Sequence, residues 1–585
     1  MLALDIKNTF SAVSLLFDGV LMGKPDFGRI PFTPGKTVLT ERERAPFFPT
    51  SSVHRAHCNG EALLSFLRTV SESPESGVHS VVVLSHGKCV FEASSAGYDT
   101  CQPHATFSLC KTVTGLAIGM LVDDGKLSLD DKAIALFPKY KSLFTSPKMS
   151  SLTVRHLLSM STGVVFNEIG AATEEDFLRS YFSSRIRFAP GTEFSYNSMN
   201  SYLLAAIVCR VSGTSLSDFL RERLFEPLGI PDFFWEKSAT GIEKGGWGLY
   251  LSPRSMARLG QFFLSGGTAN GKRLISERFI REMTSVQMHV PEKIGPFDYG
   301  YQMWVHRENS SLLLNGMLGQ NVWVYPKEEL VVAITAGDNC IFQDAHTLVS
   351  AMSAFTASQS VPTRGRFALQ RELRRLRTHF GEGASYTPPI ADSEALSAER
   401  LMPRESLYGK YAVSRNNTAL LPLVVRTTQN SPSRGIRLIK LAPGGSVHRM
   451  TLTFSEGTSH YTIPVGRYHF VSSVLSVEGE IYRVAAAYSY GRDEERRPYF
   501  KIELRFPELP SSRRLLFREG KEGLTLLLGE SPGAEFVQKL LTVTPAIVGE
   551  NVFLDLLGKR TPAFLTAKLS QTFSPLLTLT RRRGD

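Results

Sequence analysis

The run Thr112-Val113-Thr114-Gly115-Leu116-Ala117-Ile118-Gly119-Met120-Leu121-Val122 is apolar or small almost all the way round. A helix with no polar face belongs inside a core. Asp123-Asp124-Gly125 ends the run, with Gly125 placed for the left-handed position just past a helix C-terminus. The helix is entered through Phe107-Ser108-Leu109-Cys110-Lys111. Residues three apart share a helix face, so the Lys111 amine can reach the Ser108 hydroxyl. A buried amine lacks the hydration that favours a charged form, and an unprotonated amine beside a serine makes an activated nucleophile. The same residues also fit a plain helix start, with Ser108 as N-cap and Lys111 extending to solvent.

A second Ser-x-x-Lys, Ser85-His86-Gly87-Lys88, lies between the apolar runs Val81-Val82-Val83-Leu84 and Cys89-Val90-Phe91. That pattern is a β-hairpin with Gly87 in the turn. A hairpin tip gives a lysine neither fixed geometry nor desolvation, so this copy reads as a solvated turn.

A chain of 585 residues with 42% hydrophobic content has room for several domains and a sizeable core. Part of its +11 net charge is local, in Arg364, Arg366, Arg371, Arg374, Arg375 and Arg377 and again in Arg581-Arg582-Arg583. Such clusters can bind nucleic acid or an anionic surface, but the more ordinary reading is solvated helix faces and tails, so no nucleic-acid partner is expected. The six cysteines, Cys58, Cys89, Cys101, Cys110, Cys209 and Cys340, sit mostly in apolar runs and show neither zinc nor disulfide spacing. Residues 1–23 lack a basic start and a small-residue cleavage site. No run reaches the ~18 apolar residues of a membrane span. A reduced, cytoplasmic setting is expected.

Residues 1–54 read as an irregular segment, broken by Pro25, Pro31, Pro34, Pro46 and Pro49. A helix over Glu61–Val70 precedes the hairpin, and a mostly helical section runs to about residue 290. Strands return at Tyr301–Val305, Leu312–Leu314, Val322–Tyr325 and Leu330–Ile334, and a helix from about Cys340 to Thr356 closes the unit. Strands at both ends with helices between predict an α+β domain over 55–358, its antiparallel sheet completed by both ends and flanked by helices. Residues 359–403 read as a basic linker containing an amphipathic helix, then Gly381-Glu382-Gly383 and Pro388-Pro389. From 404 to 585 short alternating strands recur, among them Gly409–Val413, Met450–Phe454 and Phe500–Phe506, as in an all-β barrel or sandwich. No nucleophile and base pair occurs there, so it reads as an accessory domain.

Two further segments belong with Ser108 and Lys111. Pro190-Gly191-Thr192-Glu193-Phe194-Ser195-Tyr196-Asn197-Ser198 leads into an apolar helix, and a tyrosine in such a loop can relay a proton beside the serine. Leu314-Asn315-Gly316-Met317-Leu318-Gly319-Gln320 ends a strand, and a strand edge next to the nucleophile can offer a backbone N–H to an oxyanion. Trp235, Trp247 and Trp304 fit either a core or a pocket lining. Gly266-Gly267-Thr268-Ala269-Asn270-Gly271-Lys272 imitates a phosphate loop, but Arg273 follows where Ser or Thr is required, and it reads as a turn.

With these segments in order, residues 55–358 resemble the serine β-lactamase and penicillin-binding-protein superfamily, specifically its class C-like esterases, peptidases and amidases. The resemblance also rests on Gly125-Lys126-Leu127-Ser128-Leu129-Asp130-Asp131, Leu157-Leu158-Ser159-Met160-Ser161-Thr162-Gly163 and Val211-Ser212-Gly213, and on Gly319-Gln320 before a Val-x-Val-x-Pro strand. It implies Ser108 as the acylated nucleophile, Lys111 as base, Tyr196 as proton relay and the backbone N–H groups of Ser108 and Met317 as oxyanion donors. It implies substrate contacts at Ser198, Leu314, Asn315 and Gly316, and no metal or organic cofactor.

Two departures bear on the substrate. The Tyr-x-Asn box of the family reads Tyr196-Asn197-Ser198, with a hydroxyl in the amide position. The Lys/His-Thr-Gly triplet reads Leu314-Asn315-Gly316, removing the cation that meets a substrate carboxylate. Burying a carboxylate without a partner is costly, so a small neutral ester or amide is expected ahead of β-lactams and D-peptides. Alternatives are a catalytically silent binding protein on the same scaffold, a β-lactamase or D-peptidase, and anion binding through residues 364–377.

Overall fold

The computed structural model describes residues 35–37, 48–72, 77–337, 352, 365–380, 393–534, 571 and 573–582, except 144, 167–170, 172–173, 231, 417, 424, 427–434 and 521–522. The expected helix at 340–356, most of residues 1–54, the stretch 381–392 and Arg583 lie outside these residues.

Val78–Ser85 (β1) and Lys88–Ser94 (β2) form the expected hairpin, with His86 and Gly87 in the left-handed turn at φ 49° and 68°. β1 pairs on its other edge with Leu330–Ala336 (β7), the last strand of the sheet. Between them in sequence come Phe297–Tyr299 (β3), Trp304–His306 (β4), Leu312–Gly316 (β5) and Gln320–Tyr325 (β6). The order is β2-β1-β7-β6-β5-β4-β3, so both ends of the unit complete one antiparallel sheet. β3 had no counterpart in the sequence reading.

Alternation along these strands feeds two cores. Val82, Leu84, Leu314, Val322, Val324, Val331 and Ala333 face a helical layer. Val81, Val83, Leu313, Trp323, Val332 and Ile334 face the opposite side, which is covered by Gly60–Glu72 (α1). The basic helix Arg366–Thr378 docks there too, on α1 and β2. Its Leu373 is buried, and Arg68 pairs with Glu372 at 3.0 Å.

The helical layer is organised by Cys110–Asp123 (α2), whose residues Cys110 to Leu121 are all buried. Lys126 N donates to Leu121 O and Gly125 N to Val122 O, both at 3.0 Å, a Schellman end with Gly125 at φ 68°. Ser198–Ser212 (α3) packs against α2, and Pro253–Leu264 (α4) crosses β1, β6 and β7. Gln302 links these pieces. Its amide donates to Leu157 O and Leu158 O, its carbonyl side chain accepts from Ser201, and its backbone oxygen accepts from Thr112 Oγ1 at 2.7 Å.

The second body is a barrel. In chain order its strands are Gly409–Val413 (β8), Ile436–Pro443 (β9), Arg449–Glu456 (β10), Ser459–Arg467 (β11), Val471–Val477 (β12), Glu480–Arg492 (β13), Pro498–Arg505 (β14), Ser512–Gly520 (β15), Gly523–Ser531 (β16) and Leu576–Arg581 (β17). They run β11-β10-β9-β8-β17-β16-β15-β14-β13-β12. A short parallel pairing of β11 with β13, Gly466 opposite Ala487 and Arg467 opposite Tyr488, closes nine of them into a ring and leaves β12 outside it. Alternate residues such as Leu452, Phe454, Ile463, Val484, Ile502 and Leu515 fill the interior.

The loop between β14 and β15 seals the barrel to the first body. Glu508 O accepts from Ala105 N at 2.9 Å, and the Glu508 carboxylate forms a buried ion pair with Lys36. Lys36 also lies over the Tyr482 ring, 4.6 Å from its centroid. Arg505 donates to Ala96 O and covers the rings of Tyr98 and Phe470. Behind Tyr98, His79 stacks at 3.8 Å, with His104 beside it.

Both imidazoles are buried in the neutral form. Burial pulls His104 down to about 4 and, with the neighbouring His104 and Arg505, holds His79 well below its usual range. An unfolded chain takes up these protons below about 6.5. Neutral burial therefore favours the fold fully above that value and progressively less as pH falls towards about 4. His104 is expected to cost roughly 2 kcal/mol of stability between pH 7 and 4.5. Denaturant unfolding at a series of pH values checks this: the curve for His104→Gln should be flatter than wild type, and parallel curves would contradict it.

Candidate active site

Ser108 sits on a 3-10 turn, Phe107–Leu109, that feeds directly into α2. The chain before it is pinned twice to the short strand Leu249–Leu251, by Thr106 N and Thr106 Oγ1 donating to Leu249 O at 2.8 and 2.7 Å. Phe107 has φ 49°, which turns the backbone sharply before the serine. Leu109 takes the N-cap position of α2, with no side-chain cap. The Ser108 hydroxyl is therefore not a helix cap but faces the lysine one turn on.

Lys111 is 2% exposed. Its Nζ lies 2.8 Å from Ser108 Oγ and 2.7 Å from Gly246 O. Nζ also stands over the Tyr196 ring, 4.9 Å from the centroid. Among the described residues no carboxylate is paired with this amine. The amine donates to both oxygens, so Gly246 O fixes its position while it stays within proton-transfer distance of the Ser108 hydroxyl. Tyr196 is half-buried and held by rings: it stacks on Trp304 at 5.7 Å and meets Tyr299 edge-on at 6.2 Å.

Gly246 was not singled out in the sequence, although the glycine density of Lys244-Gly245-Gly246-Trp247-Gly248 was a usable signal. The loop lies flat on the start of α3. A Cβ on Gly246 would come within 2.6 Å of Ser198 O, and one on Gly245 within 2.4 Å of Ser201 O. Only glycines let the loop carbonyls reach α2, where Gly245 O accepts from Thr114 Oγ1 at 2.8 Å and from Cys110 Sγ at 3.5 Å. Cys110, next to the lysine, is fully buried, and desolvation pushes its thiol up to about 12, leaving almost no thiolate.

The strand β5 closes the other side. A Cβ on Gly316 would lie 2.1 Å from Thr106 O, so the bare glycine backbone lets the strand end touch the Ser108 turn. Met317 follows at the start of a tight connection, with Leu318 and Gly319 both left-handed at φ 66° and 87°. Gln320 is fully buried and holds that connection through Leu318 O at 2.9 Å and through both Ala336 backbone groups. Leu314 is fully buried in the core beneath the helical layer. Asn315 is half-buried, and its amide donates to Asn321 Oδ1 at 2.7 Å.

Asn197 caps α3, accepting from Met199 N and donating to Val164 O and Phe166 O, which leaves Ser198 as the first helical residue. In the other Ser-x-x-Lys the two side chains have different surroundings. Ser85 is buried and donates to Ala56 O at 2.8 Å, while Lys88 is exposed. The Asn270-Gly271 segment is a turn between two short strands, Thr268–Ala269 and Lys272–Arg273. Among the described residues no group of His, Cys, Asp or Glu side chains is arranged to hold a metal ion, and no single helix is long and apolar enough to cross a membrane.

A family model described as Beta-lactamase matches residues 67–339, which contain every residue of this constellation. The chain is 25% identical over 287 residues to the 6-aminohexanoate-dimer hydrolase of Paenarthrobacter ureafaciens, covering 44% of this chain and 72% of that protein. It is 29% identical over 205 residues to the D-aminopeptidase of Brucella anthropi, covering 31% of this chain but only 38% of that protein. A solved penicillin-binding protein homolog from Caulobacter crescentus superposes with a TM-score of 0.41 at 19% identity, over 50% of this chain and 97% of that one. Of the two curated relatives named here, one is a hydrolase and the other a peptidase by name. Residues 67–339 form a β-lactamase-type domain of the β-lactamase/transpeptidase-like superfamily, joined in this chain to an all-β barrel.

Proposed function

We propose that this chain is a serine hydrolase acting through a covalent acyl-enzyme on a small, uncharged ester or amide. The 2.8 Å contact between a buried Lys111 amine and the Ser108 hydroxyl carries the reading. The Ser108 proton passes to Lys111 as Oγ bonds the carbonyl carbon. Backbone N–H groups of Ser108 and Met317 hold the oxygen that becomes negative. When the C–O or C–N bond breaks, the proton returns through the Tyr196 hydroxyl to the leaving atom. Water then attacks the acyl group, gives its proton back through Lys111, and frees the acid and Ser108. Ser198, Asn315 and Gly316 are the remaining substrate contacts of this reading; Leu314, expected to be one, is sealed in the core and touches no substrate, so the first position of the triplet offers no cation to a carboxylate, which supports a neutral substrate.

A fluorophosphonate probe followed by peptide mass spectrometry tests the nucleophile. Label is expected on Ser108 in the wild type and absent in Lys111→Ala. Label at another serine, or equal labelling of both proteins, would overturn the assignment. Tyr196→Phe is expected to lower kcat/KM for a p-nitroanilide by about 100-fold and for an activated p-nitrophenyl ester much less, since a nitrophenolate leaves without a proton. Nitrocefin turnover is expected to be slow in the wild type.

A further inference from the structure

The Tyr196 hydroxyl is aimed by rings and by no polar group. Among the described residues none donates to it or accepts from it; the side-chain contacts of Tyr196 are the Lys111 amine over its ring and the rings of Trp304 and Tyr299. Where the ring lies therefore decides where the hydroxyl lies. The loop beneath it is pinned at the residues on either side. Ser195 N donates to Met160 O at 2.8 Å, and Asn197 N to Met160 Sδ at 3.5 Å. Phe194 and Tyr196 turn instead to Trp304.

Trp304 offers Tyr196 a whole face. The two rings stack with centroids 5.7 Å apart and planes 20° apart, whereas Tyr299 meets Tyr196 edge-on at 6.2 Å and 87°. The indole is only 8% exposed and is itself held. Its backbone pairs in register with Tyr299 on β3 and Leu313 on β5. Phe194, Tyr299 and Phe297 close on it edge-on, at 5.9, 4.8 and 6.5 Å. An indole clamped between strands in this way gives the tyrosine a fixed surface to lie on.

We infer that Trp304 is a positioning residue for proton transfer: its face holds the Tyr196 ring at the angle from which the hydroxyl reaches the leaving atom. This rests on the serine hydrolase reading above. In that reaction the Tyr196 O–H proton passes to the leaving nitrogen as the C–N bond breaks, and the oxygen recovers a proton from the Lys111 ammonium. A misplacement of about 1 Å costs such a transfer up to about 100-fold. A nitrophenolate leaves without a proton, so cleavage of its ester is far less sensitive.

The test compares the full chain with Trp304→Leu, Trp304→Phe, Tyr196→Phe, the double variant of Trp304→Leu with Tyr196→Phe, and Ser108→Ala. Each is checked by thermal unfolding and assayed on a p-nitroanilide and a p-nitrophenyl ester of the same acyl group. Trp304→Leu is expected to lower kcat/KM about 30-fold for the anilide and less than about threefold for the ester. Trp304→Phe, which restores a ring face, is expected to recover most of the anilide loss. The double variant is expected to be no slower on the anilide than Tyr196→Phe alone. Equal losses on the two substrates in folded Trp304→Leu, or losses that multiply in the double variant, would overturn the positioning role while leaving the hydrolase intact. Turnover undiminished in Ser108→Ala would instead remove the hydrolase reading, and this role with it. Trp304→Met replaces Trp304→Leu in both comparisons if the leucine variant does not fold.

Discussion

Ser108→Ala and Lys111→Met are each expected to lower kcat/KM for p-nitrophenyl esters by about a thousandfold or more, and the double variant no further than the worse single one. In the proposed mechanism the two groups act as a unit, because the hydroxyl is a poor nucleophile until its proton has somewhere to go. Methionine keeps the length and apolar stem that fill the slot beside Gly246 but has no amine to take the proton. Lys111→Arg is expected to be equally poor, since a guanidinium stays protonated. Steady-state rates alongside thermal unfolding check the point. Lys111→Met activity within tenfold of wild type, in a folded protein, would place the base elsewhere.

Glu530→Leu is expected to destabilise the barrel by about 3–5 kcal/mol, because it strands a buried cation. Arg513 is 2% exposed and lies 2.7 Å from the Glu530 carboxylate. The same guanidinium donates to Leu420 O and Leu421 O, while Glu530 accepts from Leu423 N. Arg426 is close enough to be coupled to both, and burial lowers its guanidinium to about 10. Adding Arg513→Met is expected to recover much of the loss, since replacing a whole buried pair by apolar side chains is far less costly than removing one partner. Denaturant unfolding of the two variants decides this. A loss below 1 kcal/mol in Glu530→Leu would mean that solvent reaches the guanidinium.

Local patterns in the chain were readable where one segment carried all the information. The His86-Gly87 turn, the Schellman end at Gly125 and the burial of α2 follow from neighbours in sequence. So did the contrast in burial between Lys111 and Lys88, because one lies on a core helix and the other at a hairpin tip. The site was less legible where the deciding contact is remote. Gly246 lies over a hundred residues from Lys111, and its use as an acceptor depends on how closely a loop can approach α3. Gln302 offered no pattern, since a single buried amide looks like any other polar residue. Barrel and sandwich share the same alternation of apolar residues. The ring is closed by two residue pairs between β11 and β13, which periodicity does not register. The basic helix read as a linker element, but Leu369, Leu373 and Leu376 seat it on the sheet body.

The order β2-β1-β7 also governs how this protein can be made. Ribosomal synthesis proceeds at about 5–20 residues per second, and β7 emerges roughly 250 residues after β1. The hairpin must therefore wait many seconds with a long apolar edge unpaired. Nascent chains cut short before Ala336 should leave β1 unpaired on that edge and be held by chaperones and degraded.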